Sequence, residues 1–128
     1  MIPTAIEVVT LFVEDITAAK AFYQRVFAPE IVYKDDVSAV LAFSGAMVNL
    51  LAVSEAPTLL APRPVAAPAA GAGMLLTIRV ASVDAAVSKL EAAGVTLLNG
   101  PIDRPWGRRT AAFADPSGHV WEIAEVIA

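Results

Sequence analysis

Cysteine is absent from the 128-residue chain, and only 17% of the residues are charged. Without cysteine there are no disulfides, no thiolate metal centre and no cysteine nucleophile. Basic side chains are scarce as well: nine Lys and Arg against thirteen Asp and Glu leave a net charge of −4, which weighs against a phosphate-backbone partner. The start of the chain has no basic segment followed by an apolar core and a small-residue cleavage site, so no signal peptide is expected. One uncharged stretch, Val37 to Ser54, approaches transmembrane length. Ser44-Gly45 interrupts it and alternation suits it better than a continuous helix, so it reads as a buried hairpin. Neither nucleic acid nor membrane is an expected partner, and the expected location is cytoplasmic.

What is present is largely apolar, with 57% hydrophobic residues. A single domain of this length buries roughly two thirds of its unfolded surface. With so little charge to cover it, the domain is expected to hide part of its surface against a second copy, as a homodimer.

Ile6 to Val13 reads as a strand. Asp15 offers an N-cap, and Ile16, Ala19, Tyr23 and Val26 recur at helical spacing before Pro29. Ile31 to Tyr33 suits a short strand, and Val37–Phe43 with Ala46–Val53 suits a hairpin about Ser44-Gly45. From Ser54 to Gly73 the chain is rich in alanine, proline and glycine. Pro57, Pro62, Pro64 and Pro68 argue against helix or central strand there, leaving a linker. The pattern then restarts. Met74 to Val80 is a strand and Ser82 an N-cap. Val83, Ala86, Val87, Leu90 and Ala93 form a helical stripe stopped by Gly94, and Val95–Leu98 suits a short strand. Two strands about Asp115-Pro116-Ser117-Gly118 close the chain.

A shift of 67 positions lays Thr10 on Thr77, Val13 on Val80, Asp15 on Ser82 and Ala19 on Ala86. Matching the hairpin glycines Gly45 and Gly118 lays Asn49 on Glu122. The organisation is therefore two tandem βαβββ units, about 4–53 and 74–126, joined by the proline-rich segment 54–73.

The residues Thr10-Leu11-Phe12-Val13-Glu14-Asp15, Ala21-Phe22-Tyr23, Val83-Asp84-Ala85-Ala86 and Ala92-Ala93-Gly94-Val95 resemble the glyoxalase/bleomycin-resistance/dioxygenase, or vicinal oxygen chelate, superfamily. So do Pro105-Trp106-Gly107-Arg108-Arg109, Asp115-Pro116-Ser117-Gly118-His119 and Trp121-Glu122. The resemblance spans nearly the whole chain. It implies an α+β fold of two βαβββ modules forming a curved mixed sheet around a cleft, with helices outside. It also implies dimers, some with modules paired across chains, and in the enzymes a divalent metal that chelates vicinal substrate oxygens.

The family's metal ligands come from the first and last strands of each module, which here are Val8, Asn49, Leu75 and Glu122. Only Glu122 is a strong ligand type, and Asn49 offers an amide oxygen. A catalytic divalent site normally needs about three such groups, so no metal and no other cofactor is expected. His119 alternates away from Glu122 and reads as a turn residue; Asp103 and Asp115 also fit turn chemistry.

Glu122 shares its strand face with Val120 and Ala124, where a carboxylate is costly unless a cation or ligand meets it. If Ala114 stands opposite His119, then Ala111 faces Glu122 and Arg109 is its diagonal neighbour. Leu75, Thr77 and Arg79 share one face of their strand. Arg79 and Arg109 therefore either neutralise Glu122 or join it in anchoring a ligand. The pocket would be lined by Val8, Thr10, Phe12, Leu75, Thr77 and Phe113, with Asn49 among its polar groups. Phe22, Tyr23, Phe27 and Trp121 fall on core stripes. Trp106, in a loop beside Gly107 and two arginines, can stack on a planar aromatic ligand or plug an interface.

The first reading is a metal-independent small-molecule binding protein resembling the drug-sequestering, bleomycin-resistance-like members. The alternative is a glyoxalase- or dioxygenase-type lyase or oxidoreductase with Glu122 as metal ligand or general base. A third is an interaction domain whose cleft is filled by its own linker through Leu59, Leu60 and Val65.

Overall fold

The computed structural model describes residues 1–128. The chain divides into two units, Met1–Ala67 and Pro68–Ala128. Each is built as βαβββ, in agreement with the repeat.

The first unit runs β1 (Val8–Val13), α1 (Ile16–Val26), β2 (Glu30–Lys34), β3 (Ser38–Phe43) and β4 (Ala46–Ala52). Its sheet has the order β1-β4-β3-β2, with β1 parallel to β4 and the other pairs antiparallel. Helix α1 starts where Asp15 accepts a hydrogen bond from the Ala18 N–H at 3.0 Å. Leu11, Val13, Leu41, Val48 and Leu50 form one buried sheet face; Ala19, Phe22 and Tyr23 form the buried helix face. The rings of Phe22 and Tyr23 meet edge to face, Tyr23 stacks on Phe27, and Phe27 meets Phe43 of β3. Phe22 and Tyr23 are core residues, as their spacing predicted, and Phe27 is half-buried beside them.

The proline-rich segment departs from expectation. After a 3₁₀ turn at Val53–Glu55 it forms α2 (Ala56–Leu60), and a second 3₁₀ turn occupies Pro68–Ala70. Pro57 sits in the first turn of α2, the one helical position where a missing N–H costs nothing. Ala56 is fully buried whereas Leu59 is 63% exposed.

The second unit continues with β5 (Leu75–Arg79), α3 (Val83–Ala92), β6 (Asn99–Arg104), β7 (Arg108–Ala114) and β8 (Val120–Val126), in sheet order β5-β8-β7-β6. Ser82 caps α3 by accepting from the Ala85 N–H at 3.1 Å. The Val83 N–H, a further orphan donor of that terminus, is met by Glu125 Oε1 from β8 at 2.8 Å. Val83, Val87 and Leu90 bury the helix stripe against the sheet.

Two local expectations fail here. The strand expected at Val95–Leu98 begins only at Asn99. Val95 still belongs to the helix stop, its N–H bonded to the Leu90 carbonyl, and the edge position of β6 is what tolerates Pro101. The register slips between Asn99 and Ile102, where Gly100 has φ +90° and would place a Cβ 2.5 Å from the Thr110 carbonyl oxygen. Only glycine fits there.

The second failure is the register of β7 against β8. Ala114 stands opposite Val120, and not opposite His119. The Asp115 N–H donates to the His119 carbonyl at 2.9 Å, so those two residues close the turn. Asp115 Oδ1 accepts from the Ser117 and His119 N–H groups, each at 2.9 Å, and holds the three intervening residues in place. A slip of one residue in an antiparallel pair moves every side chain of one strand to the other face. The consequences fall on the site.

Candidate functional site

In the observed register Ala112 is opposite Glu122, Ala111 opposite Ile123 and Phe113 opposite Trp121. Two families of side chains separate. Trp121, Ile123, Glu125, Phe113, Ala111 and Arg109 face α3. Val120, Glu122, Ala124, Ala112, Thr110 and Arg108 occupy the other face, together with Leu75, Thr77 and Arg79 from β5.

Arg109 is therefore not a neighbour of Glu122. It lies on the helix side, where Nη2 pairs with Asp84 and Nη1 with Asp103, each at 2.9 Å. Donating to Asp103 and then to Asp84 raises the guanidinium's pKa still further. Asp103, expected to serve a turn, instead occupies β6 and forms one arm of this clamp. Phe113, expected to line a ligand pocket, is fully buried on the helix side. Both corrections follow from the single-residue slip.

Glu122 is half-buried and meets a hydroxyl: Thr77 Oγ1 donates to Glu122 Oε1 at 3.0 Å. Thr77 and Glu122 are direct partners in the parallel β5–β8 pairing. In the first unit Thr10 and Asn49 are direct partners in the parallel β1–β4 pairing. The repeat read from the sequence thus reappears as an equivalent pair in each sheet. Asn49 Oδ1, however, is buried with no hydrogen-bond partner. Phe12 and Val8 share its face, Phe12 half-buried and Val8 exposed.

Arg79 lies on the Glu122 face, exposed, two residues along β5 from Thr77. Trp106 sits in the turn between β6 and β7 and is 67% exposed. The Arg104 guanidinium lies 5.9 Å from its ring centroid. Arg104 and Arg108, neither singled out from the sequence, flank that turn as direct cross-strand partners. The signal was the two-residue ambiguity of Arg108-Arg109: which of the pair faces the ligand side depends wholly on the turn.

The donor set in each unit can be tested against the family's metal. The first unit supplies a hydrocarbon at Val8 and an amide at Asn49; the second supplies a hydrocarbon at Leu75 and the carboxylate of Glu122. No group of three His, Cys, Asp or Glu is gathered anywhere in the structure. These residues do not fit a divalent site, which needs about three such ligands. An open groove of about 910 Å³ lies elsewhere, lined by Leu60, Pro62, Arg63, Pro64, Val65 and Ala66 of the proline-rich segment. No helix is long and apolar enough to cross a membrane.

Comparison with known proteins agrees with the architecture. The sequence model of the Glyoxalase/Bleomycin resistance protein/Dioxygenase superfamily matches residues 5–123. A glyoxalase-related enzyme from Fulvimarina pelagi is 27% identical, with 93% of this chain and 86% of that one covered and a TM-score of 0.79. A lactoylglutathione lyase from Agrobacterium tumefaciens is 26% identical, with 96% and 94% covered and a TM-score of 0.78. A glyoxalase/bleomycin resistance protein/dioxygenase from Nocardioides shares the fold at a TM-score of 0.86 and 22% identity, over 99% of this chain and 85% of that one. No functionally curated protein matches in sequence. The chain belongs to the glyoxalase/bleomycin resistance protein/dioxygenase superfamily.

Proposed function

We propose that this protein is a metal-independent small-molecule binding member of the superfamily, akin to its drug-sequestering branch and acting as a homodimer. One observation carries the reading: of the four positions equivalent to family metal ligands, two are hydrocarbon, and only Glu122 is a strong ligand. What the sheet faces retain is suited to holding a ligand: an amide with an unmet oxygen at Asn49, the Thr77–Glu122 pair, Arg79, and apolar surface at Val8, Phe12 and Leu75. The homodimer is proposed because only 17% of the residues are charged and further apolar side chains such as Val32 and Leu98 are 55% and 57% exposed, area that a second copy would cover.

The lactoylglutathione lyase from Agrobacterium supports a second reading, an enzyme with Glu122 as general base. Against it, the Thr77 hydroxyl already donates to Glu122 Oε1 at 3.0 Å, engaging a carboxylate oxygen that a base would have to offer to its substrate.

The test compares the wild type with Glu122→Ala. Thermal shifts are read against a panel of planar aromatic compounds with and without EDTA, and bound metal by elemental analysis. The binding reading expects ligand stabilisation that EDTA leaves intact. Stoichiometric divalent metal, lost in the variant, overturns it.

A further inference from the structure

Arg104 and Arg108 are direct partners across the β6–β7 pair. Like charges at that spacing repel, and a folded chain commonly places an acid nearby to relieve them. None is present. Arg104 Nε donates to Thr110 Oγ1 at 3.0 Å and Nη2 to Asn99 Oδ1 at 3.4 Å, both neutral acceptors. Its Nη1 is unengaged. The Arg108 guanidinium makes neither a hydrogen bond nor an ion pair. The contrast with Arg109, one residue on, is sharp, because that guanidinium holds two carboxylates. The acid of β6, Asp103, and the acid opposite Arg109, Glu125, are both spent on the helix side.

The corner is also held rigid before any ligand arrives. The Gly107 N–H bonds to the Arg104 carbonyl at 3.2 Å, and the Ile127 N–H bonds to the Gly107 carbonyl at 3.0 Å, tying the turn to the end of β8. Thr110, which orients Arg104, is itself buried. Trp106 projects from this turn, 67% exposed as a residue, with the Arg104 guanidinium 5.9 Å from its ring centroid. Exposed Ile102 and Val126, on the same face as the two arginines, border the corner with hydrocarbon.

We infer that the Arg104–Trp106–Arg108 corner is a binding site for a planar aromatic compound bearing an oxyanion, either carboxylate or phosphate. Two adjacent guanidinium groups without an ion-pair partner supply the anion's contacts, and the Arg104 fork, already oriented by Thr110, loses little entropy on engaging it. The exposed indole supplies the stacking surface. Four residues of strand, about 13 Å, separate Arg108 from the position opposite Glu122, so the corner binds without that carboxylate. It extends the binding reading above to a ligand class, yet does not depend on Glu122.

The test follows the Trp106 indole N–H by NMR during titration of the intact protein, with the buried Trp121 signal as internal control. Naphthoate and naphthyl phosphate are the anionic probes, and naphthylmethanol is the uncharged one. Saturable displacement of the Trp106 signal is expected with at least one anion, the tighter of the two naming the source. Naphthylmethanol is expected to bind at least about tenfold more weakly, as is the better anion to Arg108→Met. Arg108 has no partner to lose, so that variant should fold; the comparison of probes on the wild type needs no variant at all. Lys89→Met, which removes a cation from α3 on the other side of the sheet, should leave anion affinity unchanged. Equal affinity for naphthylmethanol, an unchanged affinity in Arg108→Met, no saturable shift from either anion, or an affinity lost in Lys89→Met would each overturn the assignment.

Discussion

Thr77 and Glu122 lie side by side in the parallel β5–β8 pairing, and the threonine hydroxyl donates to the carboxylate at 3.0 Å. The first sheet repeats the placement with Thr10 and Asn49, but there the amide oxygen finds no donor. The two sheets thus carry one scaffold position in two chemical states: a satisfied charge in one and an unmet dipole in the other.

Asn49 is the position where the fold gives up stability. A buried acceptor without a donor costs about 1–3 kcal/mol. Asn49→Leu should therefore raise the unfolding free energy by about 1 kcal/mol in urea titrations, since it removes the orphan at little change in volume. If Asn49 contributes to ligand binding, the same variant loses affinity while gaining stability. A less stable Asn49→Leu would show that the oxygen is met in solution.

Asp115 fixes which residues face the ligand side. Asp115→Ala removes the acceptor of two N–H groups in a buried turn and should destabilise by about 1–3 kcal/mol. Asp115→Asn, which keeps an acceptor oxygen, should recover much of that loss. Equilibrium denaturation of the two variants checks it, and equal losses would contradict the role given to the Oδ1 atom.

Arg109 serves the docking of α3, not ligand binding. Arg109→Met should increase amide exchange in the first turn of α3, because Asp84 lies at its start and loses its partner. Affinity for any ligand on the Glu122 face should stay the same. A variant with intact α3 protection and weakened binding would return Arg109 to the site.

Asp35 provides the pH dependence. The Val37 N–H, the Ser38 hydroxyl and the Tyr33 hydroxyl all donate to its carboxylate and hold its pKa below the usual 3.8. The same bond raises the Tyr33 pKa. A carboxyl with a lower pKa folded than unfolded adds stability that is complete above the unfolded value. That stability fades as the pH falls from there through the folded value. Asp35→Asn should therefore flatten the stability curve below about pH 4, where the wild type declines. Acid titration followed by circular dichroism measures this, and parallel curves would remove Asp35 from the acid response.

Much of this was readable from local chemistry. Asp15 and Ser82 announce their helices because a short side-chain oxygen reaches an N–H three residues on, whatever the rest of the chain does. Phe22 and Tyr23 announce the core by spacing alone. The family emerges from the order of such signals. Pro57 misled because proline breaks a helix interior yet suits a first turn, and the sequence does not say which turn it occupies.

The site was legible only where alternation along one strand decides it, as with Thr77 and Arg79 on β5. Where two strands must be brought into register, it was not. Arg108 and Arg109 are chemically alike, and no local preference separates them. Sequence alone determined that the chain would build two βαβββ units and leave a lone strong acid at the family's ligand positions, since composition and periodicity act within each element. Tertiary structure decided which arginine faces that acid's side of the sheet. The physical reason is the closure of Asp115 on His119: one hydrogen bond sets the phase of an entire strand, and with it the face each side chain occupies.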